Sequence, residues 1–495
     1  MDLHIEIAGP GDRTAAIYGQ LREAILDGRL VAGDRVPASR DLAASLGVAR
    51  GTVTAAYDRL IAEEFLLSRR GAGTFVVPGC SPPAELAASR RARRGIVRPA
   101  AVWQRDTEPA RLPGGAAYDF SLGVPDTDLF PYATWRRLVT AQLRPGRLSR
   151  GTYEESGHAR LQAEIARYAG LSRSVVASGD DVVVTAGAQQ ALDLVARVVL
   201  DPGDLVAVED PGYEAAHRLL ETHRAVVHAV PVDDEGLVVE ALPVGVRLVH
   251  VTPSHQFPTG VTMSRARRTA LLEWAVRHDA LIVEDDYDSE FRFADRPLEP
   301  LQSLDRDGRV VYIGSFSKSL LPALRVGYAI APVSLQPALR EARRVTVWNG
   351  DAATQSALAD FLAEGHHAAH VRRATKIYRE RRAMLLGLLE ERLDPWLEVV
   401  PSAAGLHVTT LLRDRSASDV ALADAALRSG VFVDTLSTRH LGSSPRHGLA
   451  FGLGGVAAAD IEPAVGLLRR SLEAGLEVGP EAGLTPSPQS RPVDG

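Results

Sequence analysis

The stretch GSFSKSLLPALRVGY, residues 314–328, carries a lysine in a chain that otherwise uses arginine. Of the 56 basic residues, Lys318 and Lys376 are the two lysines. A primary amine condenses with an aldehyde, whereas a guanidinium is too basic to do so. Lys318 is therefore a candidate for Schiff-base chemistry. The alternative is an ordinary surface lysine that follows a strand.

Acidic and aromatic residues end another apolar run, LIVEDDYDS. Asp285 closes this run, and its carboxylate could keep a pyridine nitrogen protonated, which turns the ring into an electron sink. Tyr287 lies two residues further on and could reach a phenolate oxygen on the same ring. The alternative for both residues is a solvated acidic loop.

A third group of residues has the types that bind a phosphate and a flat ring. The segment VTAGAQQALDL places small residues between a strand and a helix, so N–H groups near Ala188 and Gln189 could bind an anion. Arg325 could add positive charge. Other strand ends supply two hydroxyls and a stacking aromatic ring: Ser315, Ser317 and Tyr213. Although each could belong to an ordinary turn, together they form the set that pyridoxal 5′-phosphate requires.

These candidates need a scaffold that brings several strand ends together. Short Val/Ile/Leu runs alternate with amphipathic helices through residues 118–475, which is typical of a largely parallel sheet covered on both faces. Ligands of such sheets sit beyond the carboxyl ends of the strands, where these candidates fall. The sequence thus predicts an α/β domain with a cofactor cleft at one edge of its sheet.

Composition limits the class of protein. A length of 495 residues predicts more than one domain, and a net charge of −6 argues against a uniformly basic nucleic-acid coat. The single cysteine, Cys80, excludes intramolecular disulfides and a cysteine-rich zinc site. The start MDLHIEIAGPGDR has no apolar signal sequence, and no uninterrupted apolar run reaches the roughly 18 to 20 residues of a bilayer span. We therefore expect a cytoplasmic protein without membrane contact.

Residues 118–475 resemble the fold-type I aminotransferases. The similarity lies in YDFSLGVPDTDLFP, GTYEESGHARLQAEIARY and SFSKSLLPALRVGY. The resemblance implies a homodimer in which Tyr153 reaches the phosphate of the partner subunit, and a small C-terminal subdomain at about residues 384–475. The roles that it implies for the cofactor are the Schiff base for Lys318, the pyridine nitrogen for Asp285, the ring oxygen for Tyr287 and the phosphate for Arg325.

The first 77 residues show a different pattern, with three helices and a glycine-containing hairpin. AAIYGQLREAILDG places Ile17, Leu21 and Ile25 on one helical face. A short helix, a tight turn and a second helix are typical of a helix-turn-helix, which reads the major groove. The alternative is a small helical domain with a charged face, and nine arginines against ten acidic residues give no basic footprint. The third helix turns three polar side chains toward solvent: Arg50, Thr52 and Arg59.

This segment resembles the winged-helix domains of GntR regulators over its whole length. The resemblance implies DNA contacts from two helices and a wing: Arg40, Arg50, Thr52, Arg69, Arg70 and Gly73. Ala38 and Ala49 stand where the family usually has serines, which cap helices for roughly 1 kcal/mol each and touch phosphates. Ser39 is a candidate to supply one cap. The Pro/Ala/Arg-rich linker, residues 78–117, has a net charge of +4 and is either a DNA-phosphate contact or a tether.

Together, these parts resemble the MocR subfamily of bacterial regulators. VTPSHQFPTGVTMSRARRTALLEWA adds His255 as a candidate near the cofactor ring and has Phe257 where aminotransferases tend to have asparagine. The resemblance implies a transcription factor that binds a double-stranded DNA operator and senses a small-molecule effector. One alternative is a working aminotransferase that carries a DNA-binding domain, and another is control of vitamin B6 synthesis with the cofactor as the signal. Residues 476–495 are expected to be a disordered tail.

One departure bears on catalysis. Amino-acid aminotransferases usually hold the substrate carboxylate with the arginine of an R-x-x-F motif, but here Gly448 lies three residues before Phe451. Arg446 and His447 are out of register, unless a shifted loop brings Arg446 into place. Without a bidentate clamp an α-amino acid is poorly positioned, which argues against efficient turnover. Residual transaminase activity, an effector without a carboxylate and the cofactor alone all remain open.

Overall fold

The computed structural model describes residues 5, 12–69, 71–78, 98–104, 112–146, 158–293, 299–348, 350–402, 404–442 and 445–477. The chain divides into two units, Met1–Ala100 and Ala101–Gly495, and the prediction of a multidomain protein is confirmed. Arg70 and Tyr153 lie outside the described residues, as do most of the expected linker and tail. None of the helices in the described ranges has the length and apolar character that a bilayer span requires.

The N-terminal unit is a winged helix, as the sequence predicts. Its helices are α1 (Arg13–Leu26), α2 (Ser39–Leu46) and α3 (Arg50–Ala62), and its strands are β1 (Arg35–Val36), β2 (Leu66–Arg69) and β3 (Gly73–Val76). The strands form an antiparallel sheet in the order β1-β3-β2. Ile17, Leu21 and Ile25 are fully buried, which confirms the predicted face of α1, and they pack with Val53 and Leu60 of α3 in one core.

The residues at the starts of α2 and α3 differ from the prediction that Ser39 supplies a cap. Gly47 ends α2 in the left-handed conformation at φ +64°, as expected for a glycine at this position. However, Ala38 and Ala49 are the residues that precede α2 and α3, and neither helix has a side-chain cap. The prediction that Ser39 caps α2 is wrong, because Ser39 is already the first helical residue.

The second unit is built on an eight-stranded sheet in the order β5-β12-β11-β10-β9-β6-β7-β8. Its strands are β5 (Val182–Thr185), β6 (Leu205–Asp210), β7 (Val226–Asp233), β8 (Gly236–Leu237), β9 (Val246–Val251), β10 (Leu281–Asp286), β11 (Val310–Ser315) and β12 (Gly327–Ile330). Strands β12 and β8 run antiparallel to their neighbours, and the other pairs are parallel. Strands β5 and β11 are buried along their whole length, which explains their continuous apolar sequence.

Helices accompany this sheet in the alternating pattern expected of a parallel arrangement. They are α4 (Tyr132–Gln142), α5 (Ala159–Arg173), α6 (Ala188–Val199), α7 (Glu214–Thr222), α8 (Arg265–Arg277), α9 (Leu301–Leu304), α10 (Gln336–Thr346) and α11 (Ala352–Ala363). Buried residues of α6 and α7 join those of β6 and β11 in one apolar cluster. The sheet therefore has the helix cover that its apolar strands need.

A second, smaller sheet has the order β13-β14-β16-β15-β4. Its strands are β4 (Tyr118–Phe120), β13 (Leu397–Val399), β14 (His407–Leu412), β15 (Val431–Thr435) and β16 (Gly448–Gly452). The later helices are α12 (His366–Arg392), α13 (Asp419–Arg428) and α14 (Ala458–Glu477). β4 is the first strand of this unit in the described part of the chain. It pairs in parallel with β15 and therefore belongs to the smaller sheet.

Candidate functional site

A cavity of about 580 Å³ lies where β5, β10 and β11 end. These strands run in the same direction, so the residues that follow them meet at one edge of the sheet. The cavity wall contains nine of the residues singled out in the sequence: Ala188, Gln189, Tyr213, Asp285, Tyr287, Ser315, Ser317, Lys318 and Arg325. The topology thus brings together candidates that are up to 137 positions apart in the chain, which is the separation of Ala188 and Arg325.

Lys318 follows β11 and points its amine into this cavity. Its Nζ donates a hydrogen bond to the carbonyl oxygen of Gly123 at 2.5 Å. A Cβ at Gly123 would lie 2.8 Å from Nζ, and Gly123 has φ +69°, so both space and backbone conformation favour glycine here. Burial lowers the pKa of Lys318, although Asp288 and Asp285 oppose this shift. A lowered pKa increases the fraction of neutral amine, the form that attacks an aldehyde.

Asp285 lies near the end of β10 with a carboxylate that needs a partner. Its Oδ1 is buried and has no hydrogen-bond partner among the described residues. Its Oδ2 lies 3.7 Å from His250 Nε2, which also lacks a hydrogen bond within the described chain. A buried oxygen without a donor is costly, and a protonated pyridine nitrogen would satisfy it. The site therefore fits the ring of pyridoxal phosphate at this position.

The Tyr287 hydroxyl contacts His255, which in turn is paired with Asp288. The Tyr287 hydroxyl lies 2.9 Å from His255 Nδ1, and the same nitrogen lies 3.1 Å from both carboxylate oxygens of Asp288. The carboxylate requires a hydrogen on Nδ1, so this nitrogen cannot accept the hydroxyl hydrogen of Tyr287. Burial, and then the charge of Asp288, raise the pKa of Tyr287 well above its usual value. Tyr287 is thus a neutral phenol with a hydrogen to donate to a ring oxygen.

His255 occupies a different place from the one expected. It is buried, and it is not among the residues that line the cavity. Its imidazole lies 4.4 Å from the ring of His407, measured between centroids, and it contacts the Tyr287 hydroxyl. The prediction that His255 lies near the cofactor ring stays a prediction, and the structure places this residue behind Tyr287 and not on the cavity wall.

One end of the cavity wall has groups of the types that bind a phosphate. Helix α6 begins at Ala188 without a side-chain cap, after Gly187 at φ +101°. Arg325 donates a hydrogen bond to the carbonyl oxygen of Ala186 at 2.5 Å, and a Cβ at Gly187 would lie 3.1 Å from its Nη2. Two hydroxyls complete this end, with Ser315 Oγ and Ser317 Oγ 3.0 Å apart. A helix N-terminus, a guanidinium and hydroxyls form a site that fits a phosphate dianion.

Several cavity residues were not assigned from the sequence. Phe257 packs edge-on against Tyr213 and Tyr287, with ring centroids 5.6 and 6.0 Å away. Asp434 and Arg439 enter the cavity wall from the smaller sheet and the turn that follows β15. Their local sequence, VDTLSTRHLG, has no strand-end motif of the larger sheet. The pairing of β15 with β4 and β16 helps to place this segment.

The segment after β15 is fastened to the end of β6. Asp210 accepts hydrogen bonds from the backbone nitrogens of Leu441 at 3.0 Å and Gly442 at 3.1 Å. His440 Nδ1 lies 3.0 Å from Asp210 Oδ1, and Gly212 N donates to the carbonyl oxygen of Arg439 at 3.1 Å. In spite of burial, His440 and the two backbone bonds hold the pKa of Asp210 below its usual range.

In the N-terminal unit, the candidate DNA contacts lie on α2, α3 and the wing. Arg40, Arg50 and Arg69 are exposed, and Thr52 is half-buried. The Nε of Arg50 lies 3.4 Å from Ser39 Oγ, which links the starts of α3 and α2. In the wing, a Cβ at Gly73 would lie 2.6 Å from Arg35 Nε. Exposed arginines at the start of a recognition helix and in a wing are placed as a winged helix requires.

Arg59 differs from the other arginines of α3. Its guanidinium lies 3.8 Å from the centre of the Tyr18 ring, and its Nε lies 3.1 Å from Glu63 Oε1. Tyr18 also donates a hydrogen bond to Glu63 at 2.5 Å. The expectation that Arg59 simply faces solvent is incomplete, because Arg59 joins α3 to α1.

Comparisons with known proteins agree with this division. Residues 121–450 match the family of class I and II aminotransferases, and residues 13–76 match the bacterial regulatory proteins of the gntR family. The probable rhizopine catabolism regulatory protein MocR of Rhizobium meliloti is 37% identical over 92% of both chains. The pyridoxine biosynthesis regulator PdxR of Corynebacterium glutamicum is 35% identical over 88% of this chain and 90% of its own.

A solved structure supports the cofactor assignment. The kynurenine aminotransferase of Pyrococcus horikoshii, in complex with PMP, has a TM-score of 0.68 and is 25% identical. The match covers 80% of this chain and 95% of that one. A GntR winged helix joined to a fold-type I domain that binds pyridoxal phosphate defines a DNA-binding transcriptional regulator. The chain belongs to the MocR subfamily of these regulators, and the family, the fold class and the cofactor predicted from its sequence are confirmed.

Proposed function

We propose that this regulator is a cytoplasmic homodimer whose cofactor domain senses a small primary amine. Lys318 is the residue that an amine would displace from the cofactor aldehyde. Ligand binding would then leave a free lysine amine in a buried cavity. Pyridoxal phosphate supplies the reactive aldehyde, while Asp285 and Tyr287 hold its ring and Arg325 with α6 holds its phosphate. We assign the winged helix to residues 1–77, the linker to 78–117, the sensor to 118–475 and a tail to 476–495.

Gly448 is the observation that favours a sensor over an efficient enzyme, because glycine has no side chain to bind a substrate carboxylate. Gly448 begins β16, and a Cβ there would lie 2.1 Å from the carbonyl oxygen of Thr410. An arginine therefore does not fit at the position of the usual carboxylate clamp. Arg446 is exposed and is not part of the cavity wall. A cofactor site that is otherwise complete but has no clamp in register supports ligand binding with slow or no turnover.

Sensing requires that the ligand bind two arrangements of the protein with different affinity. We infer that an amine that displaces Lys318 from the cofactor aldehyde shifts the dimer between two placements of its winged helices on operator half-sites. A typical coupling of 1 to 3 kcal/mol corresponds to a change in DNA affinity of about 5- to 150-fold. The working aminotransferase remains the alternative, and its signature is turnover without an effect on DNA.

The cofactor itself is a second candidate signal. PdxR, one of the relatives, is named for the control of pyridoxine biosynthesis. The Asp285 Oδ1 atom, which has no hydrogen-bond partner among the described residues, supports this alternative, because the ring nitrogen of the cofactor alone would satisfy it. In that case the apo and cofactor-loaded proteins would differ in DNA affinity without any added amine.

The test measures DNA binding and turnover on the same preparation. The cofactor-loaded protein is titrated onto DNA from upstream of its own gene and of the adjacent genes, with and without a panel of primary amines. We expect one amine or the cofactor to change the DNA affinity at least about fivefold. Turnover of an amino acid at about 1 to 1000 per second, with no amine or cofactor effect on DNA, would favour the enzyme.

A further inference from the structure

His255 is a buried imidazole whose two ring nitrogens have different surroundings. Its Nδ1 lies 3.1 Å from both carboxylate oxygens of Asp288 and 2.9 Å from the Tyr287 hydroxyl. Its Nε2 is buried and has no hydrogen-bond partner among the described residues. Within the described part of the chain, the polar contacts of this ring are therefore all at Nδ1, the nitrogen beside Tyr287.

Two glycines leave the space that the His255 ring occupies. A Cβ at Gly405 would lie 1.9 Å from Cε1 of the ring, and a Cβ at Gly260 would lie 3.2 Å from Nε2. Both glycines have a left-handed backbone conformation, at φ +85° and φ +81°. Two backbone segments therefore pack directly against the imidazole and hold its orientation. A ring that cannot turn keeps Nδ1 beside Tyr287 and Asp288.

The ionisation of Asp288 determines which nitrogen of His255 carries a hydrogen. Asp288 Oδ2 also accepts a hydrogen bond from Leu406 N at 3.0 Å. In spite of burial, the contacts with His255 and Leu406 hold the pKa of Asp288 below its usual range. An ionised carboxylate accepts hydrogen bonds and donates none, so Nδ1 must carry a hydrogen. His255 therefore offers the Tyr287 oxygen a donor and no acceptor.

We propose that His255 is a positioning residue that directs the hydroxyl hydrogen of Tyr287 toward the ring oxygen of the cofactor. The Nδ1–H group binds the Asp288 carboxylate, so this carboxylate does not compete for the Tyr287 hydrogen. A hydrogen bond from Tyr287 stabilises negative charge on the ring oxygen. His255 thus affects the cofactor although it does not line the cavity, and the inference holds for any effector.

The test uses the pH midpoint at which the visible band of the cofactor changes in the full-length, cofactor-loaded protein. This change follows loss of the proton on the Schiff base with Lys318, which leaves the negative charge of the ring oxygen unbalanced. A donor at that oxygen favours the loss, so Tyr287→Phe should raise the midpoint by about 0.4 to 1 pH unit, the range for one hydrogen bond. The charged groups that act on the Lys318 amine, which are Asp285, Asp288 and Arg325, stay the same in every variant.

Two substitutions of His255 separate the roles of its two nitrogens. His255→Asn places an amide N–H near the position of Nδ1, whereas His255→Gln places it near the position of Nε2. His255→Gln should therefore raise the midpoint as far as Tyr287→Phe does, and His255→Asn should keep the natural midpoint. In the Tyr287→Phe background, His255→Gln should add no further shift, because His255 acts through the hydroxyl.

His407→Leu is the matched control within the same buried cluster. The ring centroids of His407 and His255 are 4.4 Å apart, but His407 Nε2 donates to the carbonyl oxygen of Pro258 at 2.9 Å. Burial lowers the pKa of His407 to about 3, so this variant changes stability without changing charge at neutral pH, and its midpoint should stay natural. An unchanged midpoint in Tyr287→Phe or His255→Gln, a shift that adds to that of Tyr287→Phe, or the same shift in His255→Asn or His407→Leu would overturn the proposal.

Discussion

Each unit of the chain lacks a polar group that is expected from the family its sequence resembles, the GntR regulators for one and the aminotransferases for the other, and the consequences differ. In the DNA-binding unit, Ala38 and Ala49 precede α2 and α3, and no side chain caps either helix. In the cofactor unit, Gly448 leaves no room for an arginine side chain, while Arg439 of another segment lies on the wall of the cofactor cavity. A helix start is capped by its own neighbours in sequence, whereas a cavity is lined by many elements. A cavity can therefore receive a cation from several elements, whereas a helix start depends on the few residues beside it.

The largest effect is expected from Lys318→Ala in the cofactor unit. Removal of the amine abolishes the Schiff base, so the visible absorption band of the cofactor disappears. Lys376→Ala is the matched control, because Lys376 is exposed on α12 and lies outside the cavity. Absorbance spectra of the three proteins check this prediction. A band that survives in Lys318→Ala would falsify the assignment of the lysine.

A smaller loss is expected from Asp285→Asn. An amide cannot stabilise a protonated pyridine nitrogen with a full negative charge, and the charge-assisted bond is worth about 1.5–3 kcal/mol. The affinity of the apo-protein for pyridoxal phosphate should therefore fall about 10- to 150-fold, as measured by absorbance titration. Asp180→Asn, at an exposed position before β5, should leave this affinity unchanged. Equal affinities for the two variants would contradict the pairing of Asp285 with the ring.

In the DNA-binding unit, Arg50→Ala should mainly lower DNA affinity, whereas Arg59→Ala should mainly lower stability. Arg50 is exposed at the start of α3, so its removal should weaken operator binding about tenfold while the cofactor band is unchanged. Arg59 contacts Tyr18 and Glu63, so its removal should lower the unfolding temperature of the unit and leave DNA affinity within about twofold. Fluorescence anisotropy and thermal unfolding measure the two effects. The opposite ranking would show that Arg59 faces the DNA.

The smallest effect is expected from restoring the missing caps. Ala38→Ser should stabilise the N-terminal unit by about 1 kcal/mol, because α2 begins without a side-chain cap. The reverse change in the other unit, Ser418→Ala, removes the acceptor of Ala421 N and should cost about the same. Ala44→Ser, at an exposed position inside α2, is the control and should give no gain. Chemical denaturation of each variant measures these differences.

The grouping of the candidate cofactor residues at one sheet edge could be predicted because local sequence and sheet topology coincide for them. Asp285 and Lys318 both follow buried parallel strands, and the ends of such strands share one edge. No local signal indicates that β12 runs antiparallel between β5 and β11, since its sequence is as apolar as theirs. Arg439 could not be found in this way, because its position depends on strand pairing in the smaller sheet.

Side-chain direction was the other limit on prediction. His255 is close in sequence to the cavity residues Thr252 and Phe257, but its imidazole turns away toward Asp288. The rotation of a loop residue depends on partners far along the chain, and Asp288 is itself bound to Leu406 N. Similarly, the sequence spacing of Arg59 and Glu63 does not reveal that Tyr18 completes their contact. Sequence patterns indicate which residues are near a site, but not which way they face.

Asp210 ends a strand of the larger sheet and yet contacts three consecutive residues of the segment that follows β15 of the smaller sheet, His440 to Gly442. These bonds connect the end of β6 to the segment beside Arg439. The smaller sheet therefore cannot move away from the larger sheet without breaking them. A movement of the smaller sheet that keeps these bonds would therefore have to be a rotation about the end of β6. In a rotation of this kind, the displacement of a residue is proportional to its distance from the end of β6. The parts of the smaller sheet that are farthest from β6 would therefore move most.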